Sequence, residues 1–430
     1  MGVGFQNSIF QGKSFKRSRF RASMTTSDMG LEDKVLRLIE TLEEMPVLDF
    51  ELLGKASGLG SEAEMIYKGY VAGKGLLAKA FVNFFRLGLL DSFVLVHVTP
   101  AVHHMIPKIT DYVMRSDFAI SSFRSMGEDE LIFRVLVPSG REKEIEEGLN
   151  LLQGEGLVNR FEVCVASQAP NRYSFHPSVF DYASGVWKAD ARMIPVARKI
   201  RKFDVSRVDF DETDLKILHL LKRSSAIGVE AMSEALALDK REVRHHLEEH
   251  VLGGGDPSRS MVIGSFLDFF DPGVFAPQTL TIAGIFWPEE GFSSLFLAEL
   301  VENAYLTFFS ACDSRYFTLF YLPPSSLHQF AVFMDEMESR YASYDFRYYL
   351  SHWSWMNKYG DPKNPADISR QYVNGEWRFN AQEMFSGLKR LVQQGAGATA
   401  GLSGGDGVGG GAGRGGEEAR EREELTYSPR

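Results

Sequence analysis

The chain has 430 residues, with 47 Lys and Arg against 57 Asp and Glu and a formal charge of −10. That length admits about two to four domains, and the acidic balance excludes a molecule that binds nucleic acid over its whole surface. Two cysteines, Cys164 and Cys312, exclude a disulfide framework or a multi-cysteine zinc knuckle and fit a reducing compartment, so a cytoplasmic protein is expected.

Residues 1–29 carry Lys13, Lys16, Arg17, Arg19 and Arg21 against one acid, Asp28, and read as a flexible basic arm. No secretory core and no apolar run of about 18 residues is present, so no membrane partner is expected. Residues 30–90 read as a first winged-helix domain. Val35, Leu36, Ile39 and Leu42 make one apolar helical stripe, a second helix over 49–57 stops at Gly58, and Ser61 with Glu64 has the spacing of a capping box for a third. Residues 91–166 predict a ferredoxin-like βαββαβ domain, with strands at 93–98, 118–124, 131–137 and 157–165 and helices at 101–114 and 141–152.

A basic connector over 167–208 holds Lys188, Arg192, Arg198, Lys199, Arg201, Lys202 and Arg207. Residues 209–270 repeat the helical trio. Asp211 and Asp214 open a helix carrying Leu215, Ile217, Leu218 and Leu221, a helix over 229–237 follows, and Asp239 with Glu242 caps a third. The trios superpose from Leu52 on Ala231 through Leu59 on Leu238, and 32–39 matches 214–221. Residues 271–350 repeat the βαββαβ order, and 351–393 form a C-terminal extension, expected to pack on the second unit, whose helix holds Met384, Phe385, Leu388 and Leu391. The tail, 394–430, has 12 glycines in the 22 positions 395–416, a composition that cannot offset its ordering entropy, so disorder is expected. The fold class is therefore α+β: two tandem units, each a winged helix-turn-helix followed by a ferredoxin-like domain.

On the third helix of the second trio, Val243 and Leu247 face inward and leave Lys240, Arg241, Arg244 and His245 placed to enter a major groove. Arg259, in a wing over 259–267, and Lys199, Arg201 and Lys202 of the connector extend this DNA-binding set along phosphates. The first head, with Glu62, Glu64 and Lys68 on its third helix, is poor in bases. His246 to His250 match the H-x-x-E-H pattern of inverted zinc peptidases, but no third ligand is evident before Gly253 to Gly255, so no metal site is expected. Cys164 and Cys312 read as small hydrophobes.

On these residues the chain resembles the Lrp/AsnC family of transcription regulators over 31–165 and 209–350. Asp211, Asp214, Ile217 and Leu218 match the family opening, and Gly127, Glu128, Asp129, Glu130 and Leu131 stand at its Gly-x-x-Asp-Leu turn, with Glu130 replacing the aspartate. In the second copy Cys312 and Arg315 replace the glycine and the acid. The resemblance implies a DNA-binding regulator working as an intrachain pseudo-dimer, without enzymatic activity or cofactor. Its partners are then double-stranded DNA and a small-molecule effector such as an amino acid at Gly127, Asp129 and Glu130, with self-association through the ferredoxin-like sheets. One alternative is a protein-interaction scaffold with degenerate winged helices. Another is an enzyme: the sirohaem decarboxylases resemble the same architecture, and His176 with Arg172 and Tyr173, or Arg124 and Arg134, are then the available cationic groups.

Overall fold

The computed structural model describes residues 29–125, 130–188, 195–269, 278–288, 293–313, 315–341, 347–352 and 367–400. The basic arm, Gly127, Asp129 and the tail from residue 401 lie outside them. Helix α1 (Leu31–Glu44) buries Val35, Leu38, Ile39 and Leu42. Asp49 accepts from the Glu51 and Leu52 amides to start α2 (Phe50–Ser57), and Gly58, at φ 71°, ends it. Helix α3 (Glu62–Ile66) continues into a π-helical turn, Tyr67–Val71. The Ser61 side chain makes no cap bond, so the capping box expected there is not formed; Glu64 pairs with Lys68 instead, at 2.6 Å.

Strand β1 (Leu76–Val82) leads through a short turn, Phe84–Leu87, to β2 (Leu89–Val98). Then come α4 (Ile106–Val113), β3 (Ala119–Arg124), β4 (Glu130–Pro138), α5 (Lys143–Gly154) and β5 (Val158–Val165). Strands β2 to β5 form an antiparallel sheet in the order β3-β4-β2-β5. The connector contributes β6 (Asn171–Arg172), β7 (Phe180–Asp181) and β8 (Val186–Trp187).

The second head has α6 (Glu212–Arg223), α7 (Val229–Leu236) and α8 (Lys240–His245), the last continuing into a π-helical turn, His246–Val251. After β9 (Val262–Phe269), the second body runs β10 (Leu280–Phe286), α9 (Ser293–Val301), β11 (Leu306–Cys312), β12 (Arg315–Leu322), α10 (Leu327–Arg340) and β13 (Arg347–His352). Its sheet takes β6 of the connector at one edge, in the order β13-β10-β12-β11-β6. A small hairpin, β14 (Tyr372–Val373) and β15 (Glu376–Trp377), precedes α11 (Ala381–Ala400). No described helix is long and apolar enough to cross a membrane.

The expectation of two self-contained winged-helix plus ferredoxin-like units is corrected by how the strands pair. Each trio is followed by one strand, β1 or β9, and among the described residues neither head builds a wing hairpin of its own. The two strands pair with each other, antiparallel from Leu76 opposite Phe269 to Val82 opposite Val262. A lone strand leaves its backbone donors and acceptors open, and pairing across the pseudo-repeat satisfies them.

The heads then exchange partners. Helix α1 packs on β9 and α6 on β1. Leu38 and Leu42 share one core with Leu267, Phe269 and the second body, while Leu218 and Leu221 share another with Ala80, Val82 and the helical side of the first body. The approach of α1 is close enough to need Gly264, where a Cβ would sit 1.9 Å from the Glu43 carbonyl oxygen.

The two body sheets face each other within the chain. Phe93 stacks on Phe317 at 3.9 Å, and Arg134, held by Asp91 at 2.6 Å, lies over the Phe308 ring. These faces are buried inside one chain, which corrects the expectation that they serve self-association. The C-terminal extension, expected on the second unit, packs on the first body and the second head. Trp377 donates to the Leu87 carbonyl at 2.9 Å, Phe118 meets Phe379, and Phe385 and Leu388 enter between α4 and α5 beside an apolar cavity of about 50 Å³.

Gly148 of α5 lets the Phe385 ring approach to where a Cβ would be 1.9 Å from it. Gly148→Ala is therefore expected to cost about 1–3 kcal/mol by overpacking, measured as a lower denaturant midpoint at unchanged slope; an unchanged midpoint places α11 elsewhere.

In the ribbon, Asp268 receives Lys79 at 3.1 Å and Arg172 at 3.6 Å. Burial pushes its carboxyl up, but the Lys79 and Arg172 charges together outweigh that and hold it below the usual range. A lowered folded pKa stabilises above the ordinary carboxylate range, and that stability is lost as pH falls through the folded value. Asp268→Asn should thus destabilise at pH 7, and the gap from wild type should narrow in acid unfolding titrations.

Candidate active site

The site begins as an ordinary helix start. Asp211 accepts from the Thr213 and Asp214 amides at 2.8 and 3.0 Å, and Asp214 Oδ2 accepts the Asp211 amide at 2.9 Å, closing a capping box at the head of α6. The Asp214 side chain is wholly buried, so its remaining acceptor capacity must be met from within the protein.

The π-helical turn after α8 meets it. His246 Nδ1 lies 2.9 Å from Asp214 Oδ1, and His250 Nδ1 lies 3.2 Å from Oδ2. A carboxylate only accepts, so both imidazoles carry a proton on Nδ1 and keep Nε2 as the free lone pair. The ring centroids are 5.0 Å apart. π-Helical turns often stand at functional sites, because the extra residue re-aims side chains.

The first head has the same turn without the chemistry. Tyr67 and Val71 stand where His246 and His250 do. The Tyr67 hydroxyl accepts the Ala78 amide, and Glu32, aligned with Asp214, pairs with Lys188. Only the second head carries the cluster.

Coordinating atoms of Asp214, His246 and His250 all lie within 4.8 Å of one another. The donor set fits a divalent ion such as zinc or iron, since one carboxylate and two imidazoles leave coordination positions open. The N–O separations are also within a few tenths of an ångström of the roughly 3.3 Å edge of a tetrahedral site. The same arrangement can instead fix both rings and present their Nε2 atoms.

His250, 39% exposed, opens onto a cleft of about 670 Å³. The turn after β1 forms one wall. Arg86 accepts the Val208 amide on its carbonyl and pairs through Nη2 with Asp204 at 3.5 Å, while Asn83 donates to the Asp204 carbonyl. Hydrogen bonds from the Ser206 hydroxyl and amide, with the Arg86 charge, hold the Asp204 carboxyl below its usual range. The other wall is the loop after the histidines. Gly253, Gly254 and Gly255 have φ of 80°, 63° and 85°, a left-handed run that turns the chain back to bring Ser258 and Arg259 beside His250. Arg207 and Arg259, both in the lining, have no ion-pair partner among the described residues.

Of the residues singled out from sequence, Arg259 reaches this cleft and His245 stacks edge-on against His250 at 5.4 Å. Lys240 pairs with Glu230 at 3.5 Å and Arg244 with Glu248 at 4.0 Å, while Arg241 is exposed. Lys202 is exposed, and Lys199 offers its carbonyl to Tyr173. Arg201 is built into the fold through the Glu43 and Arg172 carbonyls, at 2.5 and 2.9 Å.

Gly127 and Asp129 lie outside the described residues, and Glu130 is buried against His97 and Arg160. The cationic groups considered for a tetrapyrrole have partners within the protein. Arg172 is packed over Phe266 beside Asp268, His176 bonds Ser178, Arg134 is locked to Asp91 and Arg124 meets His103. Burial pushes the Cys164 and Cys312 thiols up, away from nucleophilic character.

No family model matches the chain, and no curated protein sequence matches it. Among solved structures it is similar to the siroheme decarboxylase NirDL, at 11% identity and a TM-score of 0.47, over 85% of this chain and 99% of that one. It is similar to the same enzyme in complex with an iron-uroporphyrin III analogue at the same identity and TM-score, over 84% and 99%. A further neighbour, PH0061, has 11% identity and a TM-score of 0.26, over 33% and 93%.

The reading as a non-enzymatic, DNA-binding Lrp/AsnC regulator with an amino-acid effector is corrected at the site itself. The helix taken for DNA recognition runs into a cluster of the buried Asp214 with the part-buried His246 and His250 that could hold a metal ion, two of its cations are paired with glutamates, and the connector's Arg201 is committed to backbone carbonyls. The third member of the cluster, missed from sequence, is Asp214. It stands 32 residues from His246, and its capping role accounted for it locally.

Asp214→Ala removes the reciprocal half of the capping box and the anchor of two imidazoles, so it should destabilise more than His246→Ala or His250→Ala. The expected loss is about 2–4 kcal/mol by urea unfolding. Equal losses in the three variants contradict the shared anchor.

Proposed function

We propose that the protein is an enzyme of the siroheme-decarboxylase type, binding an iron tetrapyrrole with carboxylate side chains in the cleft beside His250 and releasing a carboxylate as CO2. The observation that carries this reading is the Asp214-anchored pair, His246 and His250, at the edge of a cleft that also holds Arg86, Arg207 and Arg259. A carboxylate on Nδ1 fixes the tautomer and the orientation of the ring, and so aims Nε2, the atom that would ligate iron or carry a proton. The guanidiniums of Arg207 and Arg259 suit the peripheral carboxylates, to which arginine forks bind bidentately. The cleft volume, about 670 Å³, falls within the roughly 300–1,000 Å³ of small-molecule sites.

Loss of CO2 leaves an electron pair on the side-chain carbon, which must take up a proton. The bound macrocycle supplies the conjugated system that spreads this charge. In this reading His246, 13% exposed and held through Nδ1 by Asp214, would hand on that proton from Nε2. His250, the more open ring, would hold the iron.

The test is a visible-absorption titration with iron uroporphyrin, followed by mass analysis of siroheme incubated with the protein. A saturable shift of the Soret band and a product lighter by CO2 are expected. His250→Ala should abolish the shift, and Arg207→Ala with Arg259→Ala should weaken binding about tenfold or more. No shift with wild type, or an identical shift with His250→Ala, overturns the reading.

A further inference from the structure

The two bodies differ in what covers their helices. On the first, α11 lies across α4 and α5 and buries Phe385, Leu388 and Val392. On the second, α9 and α10 leave Leu295 57% exposed and Val332 44% exposed. Between these helices, next to Pro195, runs a groove of about 280 Å³ lined by Glu299, Glu302, Phe333, Glu336, Met337 and Arg340.

The groove is apolar at its base and acidic at its rim. Leu295, Glu299 and Glu302 follow helical spacing and so form one stripe, as do Val332 and Glu336. Arg340 binds Glu299 at 2.7 Å and Glu336 at 3.1 Å. One guanidinium thus serves two carboxylates, and Glu302 has no ion-pair partner among the described residues.

The segment ahead of the described chain has the opposite character. Residues 1–28 hold Phe5, Phe10, Phe15 and Phe20 at intervals of five, interleaved with Lys13, Lys16, Arg17, Arg19 and Arg21 against a single acid, Asp28. The arm also starts within reach of the groove. Glu32 in α1 pairs with Lys188 at 2.6 Å, and Lys188 is seven residues from Pro195. That length of chain spans at most about 25 Å, and the residues between Asp28 and Phe20 reach about as far again. The adjoining Val196 amide donates to the Glu302 carbonyl at 2.8 Å, fixing this part of the connector against the groove.

We propose that the basic, phenylalanine-rich N-terminal segment docks in the groove between α9 and α10. Its aromatic rings lie against Phe333 and Met337, and its cations meet Glu299, Glu302 and Glu336. The segment covers on the second body the face that α11 covers on the first. This rests on a groove that shares no lining residue with the His250 cleft, and it stands or falls separately from the proposed function.

The experiment uses a labelled peptide of residues 8–22 and three forms of the protein: full length, lacking residues 2–24, and the shortened form with Glu302→Lys and Glu336→Lys. Binding is read by fluorescence anisotropy. The peptide should bind the shortened protein, bind the charge-reversed form at least tenfold more weakly, and bind full-length protein at least tenfold more weakly because the arm already fills the groove. Raising salt from about 50 to about 500 mM should weaken binding to the shortened protein, a readout that needs no variant to fold. Absence of binding, indifference to salt, or equal affinity for full-length and shortened protein overturns the proposal. Dimerisation of the shortened protein without peptide uptake overturns it in favour of a second copy as the occupant.

Discussion

The pairing of β1 with β9 is the constraint on which the rest of the structure depends. Each strand comes from a different half of the chain, and each lies beneath the helical head of the other half. The ribbon binds its two strands by backbone hydrogen bonds and joins Lys79 of one to Asp268 of the other, with Arg172 of β6 reaching the same carboxylate. The cost of burying these ions is offset only while they stay together. Head exchange follows, because an apolar helix face must cover whichever strand face lies beside it.

The candidate site is a consequence of this exchange. Helix α6 rests on β1, so the turn that ends β1 brings Arg86 and Asn83 up to the connector at residues 204–208. The loop of the second head returns on the other side with Arg259. The cleft is therefore assembled from the first half, the connector and the second head, and of the Asp214, His246 and His250 cluster it is His250 that lines it. Its asymmetry is chemical: the backbone turn exists in both heads, and only one carries histidines.

Burial separates structural charges from available ones. Arg134 and Asp91 between the sheets, and Arg198 with its four backbone carbonyl acceptors, are spent on folding. Burial pushes the Glu43 carboxyl up, against the opposing pull of Arg201 and the Ser174 amide, in the same interior network. Arg207 and Arg259 stand outside such networks, which is what leaves them able to bind a solute.

Local signals were readable from the residues alone. The capping box of Asp211 and Asp214, the left-handed Gly58, and the helical spacing of His246 and His250 each depend on neighbours within a few positions, where steric and hydrogen-bonding rules act directly. Contacts between distant segments were not readable. Nothing in the alternating residues of β1 or β9 names its partner, because an antiparallel edge accepts any strand of suitable length, and so the exchange of heads and the seat of α11 waited on the fold. Asp214 shows the same division within one side chain. Its sequence neighbours determine that it caps a helix, whereas only the tertiary structure decides that its other lone pairs face two imidazoles, since that requires folding α8 back across α6.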